Sequence, residues 1–407
     1  MLNVSPRSYQ AVHTPALSAH QRLRARFTEF AGWVLPLRYP AGTIEEHLAT
    51  RRSVGVFDVS HLGRVLVSGR DALLLLQRAF TNDLLRVSVR KAQYTLLLND
   101  DGGIVDDIVV LWVDSDTFVV IPNAANTMAV VDALSKIRQR YQADVFIDNI
   151  TSETAMFAVQ GPAFEEVCES AGISLETLPP RFGVVKAGEW ILSGTGYTGE
   201  RGIEVIVPAA SASDVFETLA RSAIEIGGGP AGLGARDTLR LEMGYPLWGN
   251  EMDTSIAPSE AGLDWVLVES KDDFVGKAAA LEYKKYPRWR PIGIVMRDKG
   301  PIPRKSYSVK AGEISGTVTS GGFSPVLGRG IALARMPSSF APTKIVAGTN
   351  LALLLESDDS ARRLKGYHEA AVGAEELSRL TRLTVDIRGR PALGILTRPP
   401  FVKTSLD

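Results

Sequence analysis

Four aspartates lie within eight residues, in the segment DDGGIVDD at 100–107. Its two glycines favour a tight turn, and Asp106 and Asp107 begin the strand predicted after it. Successive side chains of a strand point to opposite faces, so only one of these two carboxylates can face inward. An inward carboxylate in a cleft suits a cationic or protonated nitrogen of a substrate. The alternative is that all four are solvated turn residues that discourage aggregation at a sheet edge.

A second candidate is the segment GTGYTGERGIEV at 194–205. Gly199 permits a turn that presents Glu200, and a carboxylate held there can accept two hydrogen bonds from the edge of an amino-heterocycle. The alternative is a plain hairpin. A phosphate-binding loop is excluded, because no lysine follows the glycines and no helix is predicted to start after them.

A third candidate is a predicted helix in the segment 229–253 that contains Arg236, Asp237 and Arg240. The two arginines are one turn apart and share a face, so they are placed to clamp the carboxylate tail of a ligand. The alternative is a surface helix that pairs with itself, in which Asp237 serves the arginines.

Other reactive residue types lack suitable surroundings. Ser60 and His61 are adjacent in FDVSHLG without a GxSxG elbow, so we predict a structural role in a turn. Cys168, the single cysteine, lies in a predicted amphipathic helix and is interpreted as a buried small hydrophobic residue. The five histidines show no HExxH-like spacing, so the sequence gives no support for a metal site.

The elements that position these candidates indicate an α+β protein. Helical patterns occupy 16–32 and 43–52, and three strands with two turns are predicted over 94–123. The order strand–helix–strand–strand–helix over 64–142 indicates a small ferredoxin-like unit. Strands and helices alternate over the first 230 residues or so, which favours the α+β class.

From about residue 292, short strands separated by Gly and Pro replace the helical pattern. This change predicts a C-terminal β-barrel or jelly-roll domain. A charged, Ala-rich stretch at 356–381 is interpreted as a surface insertion with a short helix. We therefore divide the chain into an α+β core at 1–63 and 143–285, a ferredoxin-like subdomain at 64–142 and a barrel domain at 286–407.

Composition limits the classes of function. The chain has 407 residues, with 45 Lys and Arg against 46 Asp and Glu. A net charge of -1 argues against a protein that coats nucleic acid. No segment has the apolar length of a membrane span. We expect a cytoplasmic location, with the mitochondrial matrix as second choice because the N-terminal segment is rich in arginine and poor in acids.

These segments, taken together, resemble the aminomethyltransferase family, the T protein of the glycine cleavage system and its relatives. The resemblance rests on motifs that keep the family's order almost from end to end: TPALSAH at 14–20, FAGWVLPLRY at 30–39, EEHLATRRSVGVFDVSHLG at 45–63, YTLLLNDDGGIVDDIVV at 94–110, VQGP at 159–162, GYTGERGIEV at 196–205, GLGARDTLRLEMGYPLWGNEMD at 232–253, SGGFSPVLGRGIALARM at 320–336 and RPPFV at 398–402. It implies a three-domain cloverleaf around a central channel that holds tetrahydrofolate.

The resemblance also implies roles for particular residues. Asp106 matches the aspartate beside the reactive nitrogens of the folate, and Glu200 matches the glutamate that binds the pterin edge. Arg236 matches an arginine that contacts the folate, and Tyr94 and Asn123 match positions that line the channel. The remaining aspartates of the acidic turn keep the solvated interpretation: Asp100, Asp101 and Asp107.

The implied reaction takes an aminomethyl group from the lipoyl arm of a small carrier, the H protein. It yields methylenetetrahydrofolate, ammonia and the dihydrolipoyl carrier. Three departures leave the substrate open: Trp248 where Tyr is usual, Arg201 where an acidic or small residue is commoner, and the insertion. The alternatives are a folate-dependent demethylase acting on an S-, O- or N-methyl substrate, and an inactive folate-binding homologue. Gly196 argues against the iron–sulfur assembly branch, which has a cysteine there.

Overall fold

The structure is a computed structural model that describes residues 11–342, 345–351, 355 and 381–405. The predicted insertion at 356–381 lies outside these residues, except for its last position. Among the described residues, no helix has the length and apolar character that crossing a membrane requires.

Helices and strands are mixed along the chain. The helices with both ends among the described residues include α1 Leu17–Arg22, α2 Thr43–Arg52, α3 Ala72–Ala79, α4 Thr127–Tyr141, α5 Phe164–Ser170, α6 Ala212–Glu225, α7 Leu233–Met243 and α8 Lys277–Lys285. The strands of the N-terminal two-thirds are β1 Val12–His13, β2 Arg26–Phe30, β3 Trp33–Arg38, β4 Gly55–Asp58, β5 Val65–Ser68, β6 Ala92–Leu98, β7 Ile104–Asp114, β8 Thr117–Ile121, β9 Phe146–Asn149, β10 Thr154–Gln160, β11 Val184–Ala187, β12 Trp190–Ser193, β13 Gly202–Pro208 and β14 Gly229–Ala231. The remaining strands are β15 Trp289–Met296, β16 Ser308–Ala311, β17 Ile314–Ser324, β18 Arg329–Pro337, β19 Val346–Ala347, β20 Arg382–Ile387 and β21 Arg390–Arg398.

The predicted helix over 16–32 is wrong beyond Arg22, where α1 ends. Arg24 has a φ of 60°, a left-handed conformation that stops the helix. The chain then enters β2, which pairs antiparallel with β3. Pairing with a strand formed later in the sequence overrides the local helical pattern.

A six-stranded sheet forms the first layer, in the order β11-β12-β13-β10-β4-β14. One face packs on α5 and α6 through a core that includes Phe157, Phe164 and Phe216. Cys168 belongs to the same core and is fully buried, as predicted. The sheet therefore holds the end of β4 and the start of β13 in fixed positions.

A five-stranded sheet, in the order β6-β7-β8-β5-β9, forms the second layer. Helices α3 and α4 cover one face around Leu76, Phe118 and Leu134. The other face packs against the six-stranded sheet through residues such as Leu111 and Met156. The three strands predicted over 94–123 are confirmed as β6, β7 and β8. The domain boundaries stay predictions, and β9 continues this sheet past residue 142.

The C-terminal strands confirm the predicted barrel. They follow the order β15-β18-β17-β16-β20-β21, and β21 pairs back with β15 to close the sheet. β19 adds to β21 in parallel. The α+β class is likewise confirmed.

The C-terminal segment fastens the barrel to α7. Phe401 is fully buried and packs with Leu241 and Ile331. Its backbone N–H donates to the carbonyl of Glu242 at 2.7 Å. The barrel and the C-terminal end of α7 are thus held by one apolar contact cluster and a backbone hydrogen bond.

We predict that Phe401→Ala lowers the thermal stability of the whole protein. Removing a buried phenylalanine side chain costs about 3–5 kcal/mol, because contacts are lost and a cavity remains. The melting temperature by calorimetry is expected to fall by more than about 5 °C. Lys403→Ala, at an exposed position two residues on, is the control and should leave it unchanged. Equal melting temperatures for the two variants would contradict this anchoring role.

Candidate active site

A cavity of about 1340 Å³ lies where the two main sheets and α7 meet. Its wall carries charged side chains from Asp107 on β7, Glu200 before β13 and Arg236 on α7. Apolar side chains, among them Val109 and Ile121, complete the wall. A large cavity with a few polar groups on an apolar wall is the usual form of a small-molecule site.

Asp107 presents its carboxylate to this cavity. Tyr94 Oη donates to Oδ2 at 3.1 Å, and the Asn123 side-chain amide donates to Oδ1 at 2.7 Å. Burial raises the pKa of Asp107, and the two hydrogen bonds partly offset that rise. The result is a fixed carboxylate whose proton affinity exceeds that of an ordinary aspartate.

Asp106 lies behind the cavity wall and is fully buried. Its carboxylate accepts hydrogen bonds from the backbone N–H of Asn123 at 2.9 Å and from the side-chain amides of Asn123 and Asn126, each at 2.8 Å. Burial, and next the neighbouring Asp107, raise the pKa of Asp106 well above its ordinary value. The two aspartates therefore differ from the expectation. Asp106, expected beside the ligand, is enclosed by asparagines. Asp107, expected to be solvated, faces the cavity.

The glycine turn ahead of these residues is set by close packing. A side chain at Gly103 would place its Cβ 1.9 Å from the carbonyl oxygen of Thr254. Ile104 N–H donates to the carbonyls of Asp253 and Ile256 at 3.1 and 3.0 Å. The loop at 253–256 thus fixes where β7 begins. Asp100 and Asp101, at the tip of the turn, are exposed as expected.

Tyr94 forms an aromatic wall with Trp265. The two rings stack with centroids 5.5 Å apart and planes 16° apart. Trp265 is 63% exposed although it lines the cavity, so it stands at the cavity's opening to solvent. A flat aromatic surface there suits a planar ring of a ligand.

Glu200 is held on the opposite side by charge and by backbone. Gly199 has a φ of 79°, which presents Glu200 at the turn as predicted. Arg51 Nη1 donates to Oε1 at 2.7 Å, and the Ser405 backbone N–H donates to Oε2 at 3.0 Å. A carboxylate oxygen has two lone pairs, so each oxygen can accept a further hydrogen bond.

Arg51 links Glu200 to a second buried carboxylate, Glu242. Its Nη2 donates to Glu242 Oε2 at 3.0 Å, and Nη1 also donates to the carbonyl of Thr198 at 2.6 Å. His47 Nε2 lies 3.0 Å from the same Glu242 oxygen. Hydrogen bonds and charge from His47, and charge from Arg51, hold the pKa of Glu242 below its usual value despite burial. Arg51 therefore pairs with two carboxylates at once.

The guanidinium of Arg236 has no hydrogen-bond partner among the described residues. Its guanidinium lies 4.6 Å from the centroid of the Tyr197 ring. Burial lowers its pKa, while the negative charge of Glu204 acts in the opposite direction. A desolvated guanidinium with free donors on a cavity wall is suited to a carbonyl or carboxylate of a ligand.

Arg240, one turn on, has a different role. It pairs with Asp237 at 2.7 Å and with Glu251 at 3.4 Å, and it donates to Ser320 Oγ of the barrel at 3.0 Å. The predicted arginine clamp is thus not formed as a pair. Asp237 pairs with Arg240, as the self-paired alternative expected. The Arg236 guanidinium is left without a hydrogen bond or ion pair to any described residue.

The adjacent residues Ser60 and His61 have different surroundings. Ser60 Oγ donates to the carbonyl of Met156 at 3.2 Å and accepts from its N–H at 3.0 Å, which confirms the predicted structural role. His61 makes no hydrogen bond to a described residue, and its ring lines the cavity.

The cavity wall includes most of the predicted site residues: Tyr94, Asn123, Glu200 and Arg236. Asp106 lies behind it. Sequence reasoning missed three contributors, Asp107, Arg51 and Trp265. The strand alternation left the choice between the aspartates open. Neither the helix of Arg51 nor the short 3-10 helix of Trp265 carries a distinguishing local signal.

Comparisons with known proteins cover nearly the whole chain. The family model described as GCVT N-terminal domain matches residues 16–271, and that described as glycine cleavage T-protein C-terminal barrel domain matches 290–403. The aminomethyltransferase of Mycobacterium tuberculosis is 43% identical over 402 residues, covering 97% of each chain. That of Mycobacterium avium is 40% identical over 405 residues, covering 96% of this chain and 97% of its own. The crystal structure of the glycine cleavage system aminomethyltransferase T from Bartonella henselae superposes with a TM-score of 0.82 at 28% identity, covering 97% of this chain and 99% of that one.

We predict that Arg51→Met destabilises the protein strongly, because it leaves Glu200 and Glu242 buried without their shared cation. Removing one partner of a buried ion pair costs about 3–5 kcal/mol. Arg52→Met, at the exposed neighbouring position, is the matched control, with an effect of about 0.5 kcal/mol or less. Urea unfolding followed by fluorescence measures both. Similar unfolding midpoints for the two variants would rule out a stabilising role for the ion pairs of Arg51.

Proposed function

Because the chain belongs to the glycine cleavage T-protein family of aminomethyltransferase enzymes, we propose that it transfers a one-carbon unit to tetrahydrofolate bound in the cavity. The donor is the aminomethyl group on the lipoyl arm of a carrier, the H protein. The products are methylenetetrahydrofolate, ammonia and the dihydrolipoyl carrier. The observation that carries the proposal is that Asp107, Glu200 and Arg236 face one cavity from three separate elements.

The residues present fit a folate. Glu200 keeps one acceptor position on each oxygen, which matches the adjacent N–H donors on the edge of a pterin. Arg51 and Ser405 fix the orientation of that carboxylate, so little side-chain freedom is lost on binding. Arg236 offers free donors to a carbonyl or carboxylate oxygen of the same ligand.

Asp107 is the carboxylate that we assign to the reacting atoms, in place of Asp106. Tetrahydrofolate supplies the nitrogen that accepts the one-carbon unit. Asp107, fixed by Tyr94 and Asn123, orients the ligand's N–H and stabilises positive charge that develops near it. Its raised pKa also suits it to hold a proton during the transfer.

Asp106 acts as a positioning residue in this scheme. It accepts from the backbone N–H and the side chain of Asn123, and so fixes the amide that in turn holds Asp107. The apolar wall at Val109 and Ile121 keeps water away from the one-carbon intermediate, which water would otherwise hydrolyse. Similarity of about 40% to aminomethyltransferases over nearly the full length favours this donor over an S-, O- or N-methyl substrate.

We predict that Asp107→Asn reduces turnover by at least about 10²-fold while folate affinity changes little. The amide cannot carry the negative charge that stabilises the transition state. The assay measures methylenetetrahydrofolate formed from aminomethyl-lipoyl H protein and tetrahydrofolate. Asp106→Asn, the matched change one residue earlier, should lower the rate less. If Asp106→Asn abolished turnover and Asp107→Asn did not, the assignment would return to Asp106.

We predict that Glu200→Gln weakens tetrahydrofolate binding about 10-fold or more, because a charge-assisted acceptor pair is lost. Isothermal titration calorimetry measures the dissociation constant. Glu165→Gln removes a charge from an exposed position on the same wall and serves as control. Unchanged affinity of Glu200→Gln for tetrahydrofolate would contradict the role of Glu200 in binding the pterin edge.

A further inference from the structure

His61 is a polar side chain that no described residue satisfies by a hydrogen bond. It is only 3% exposed, and its ring lines the cavity. Neither ring nitrogen hydrogen-bonds to a described residue, and Nδ1 is fully buried. Buried polar groups are almost always paired, so an unpaired one on the wall of a cavity indicates a partner that the cavity receives.

The loop after β4 holds this ring in place. Ser60 N–H donates to Asp58 Oδ1 at 2.8 Å on one side of His61. On the other side, Gly63 N–H donates to the carbonyl of Pro122 at 2.9 Å, and a Cβ at Gly63 would lie 2.6 Å from the Pro122 ring. Phe30 meets the imidazole edge-on, at 5.6 Å between centroids. The backbone is fixed on both sides of His61, so the residue is not placed by a flexible loop.

The surroundings keep the imidazole neutral. Burial lowers the pKa of His61 to about 3. The positive charges of Arg236 and Arg64 also lower this pKa, whereas the negative charge of Asp58 raises it. A neutral imidazole has one N–H donor and one acceptor nitrogen. Such a group can hydrogen-bond a ligand while it stays uncharged. In this respect it differs from the carboxylates of the site.

We infer that His61 is a further ligand-binding residue, whose neutral imidazole hydrogen-bonds a polar edge group of the heterocycle near Arg236. The inference rests on the proposed function, because it takes the ligand to be a folate. His61 and Arg236 line one cavity and both lack a hydrogen-bond partner among the described residues. Together they offer a neutral donor–acceptor and a cationic donor, a combination that selects an amino-carbonyl edge over a simple anion.

Calorimetric titration with tetrahydrofolate tests this. His61→Phe keeps a flat ring but has no hydrogen-bonding atom, and it should weaken binding about 5- to 10-fold, the usual worth of one hydrogen bond. His13→Phe, the same change at an exposed position, should bind as wild type does. His61→Asn places an amide near the position of Nδ1 and His61→Gln near that of Nε2, so one of them should restore affinity. Rescue by either would not occur if the ring served only to fill space.

A measurement on the wild-type protein removes the dependence on a variant's folding. The ¹⁵N chemical shifts of the His61 ring are expected to show a neutral tautomer from pH 6 to 8 and to move when tetrahydrofolate is added. Unchanged shifts on binding, or equal affinity of His61→Phe and wild type, would overturn the role of His61 alone. Absence of folate binding by the wild type would overturn the proposed function, and this inference with it.

Discussion

The site depends on how two neighbouring carboxylates share one side chain. Asp106 and Asp107 are consecutive on β7, and both lie where burial opposes their ionisation. The Asn123 amide donates to both, at 2.8 and 2.7 Å, and its backbone N–H donates to Asp106. The loop after β8 must therefore close onto β7 for the pair to be tolerated. That closure sets one side of the cavity and aims Asp107 into it.

At Glu200, too, one side chain donates hydrogen bonds to two carboxylates, and here that side chain is an arginine instead of an asparagine. Arg51 satisfies Glu200 and Glu242, and Ser405 from the C-terminal segment supplies the second donor to Glu200. The carboxylate on the wall is thus held by α2, by the turn before β13 and by the end of the chain together. Arg236 and His61 are exceptions to this pattern of satisfied groups. Groups left unsatisfied on a cavity wall are those available to a ligand.

The sequence was sufficient for the features that local chemistry determines. It predicted the three strands around the acidic turn, the turn at Gly199 that presents Glu200, and the change to a barrel. Strand alternation could not choose between Asp106 and Asp107, because both faces of β7 are apolar, with Ile108 on one and Val109 on the other. The family resemblance pointed to Asp106, which the structure places behind the cavity wall. Only the packing of one sheet on another decides which face meets the cavity. For the same reason, Arg51 became visible only once α2 was placed beside Glu200 and Glu242.

The most direct test of this account is a crystal structure of the protein with tetrahydrofolate. We predict the pterin edge against the Glu200 carboxylate and a folate nitrogen within hydrogen-bonding distance of Asp107. Asp106 should remain enclosed by Asn123 and Asn126. A folate bound outside the cavity, or one that contacts neither Asp107 nor Glu200, would contradict the proposed site.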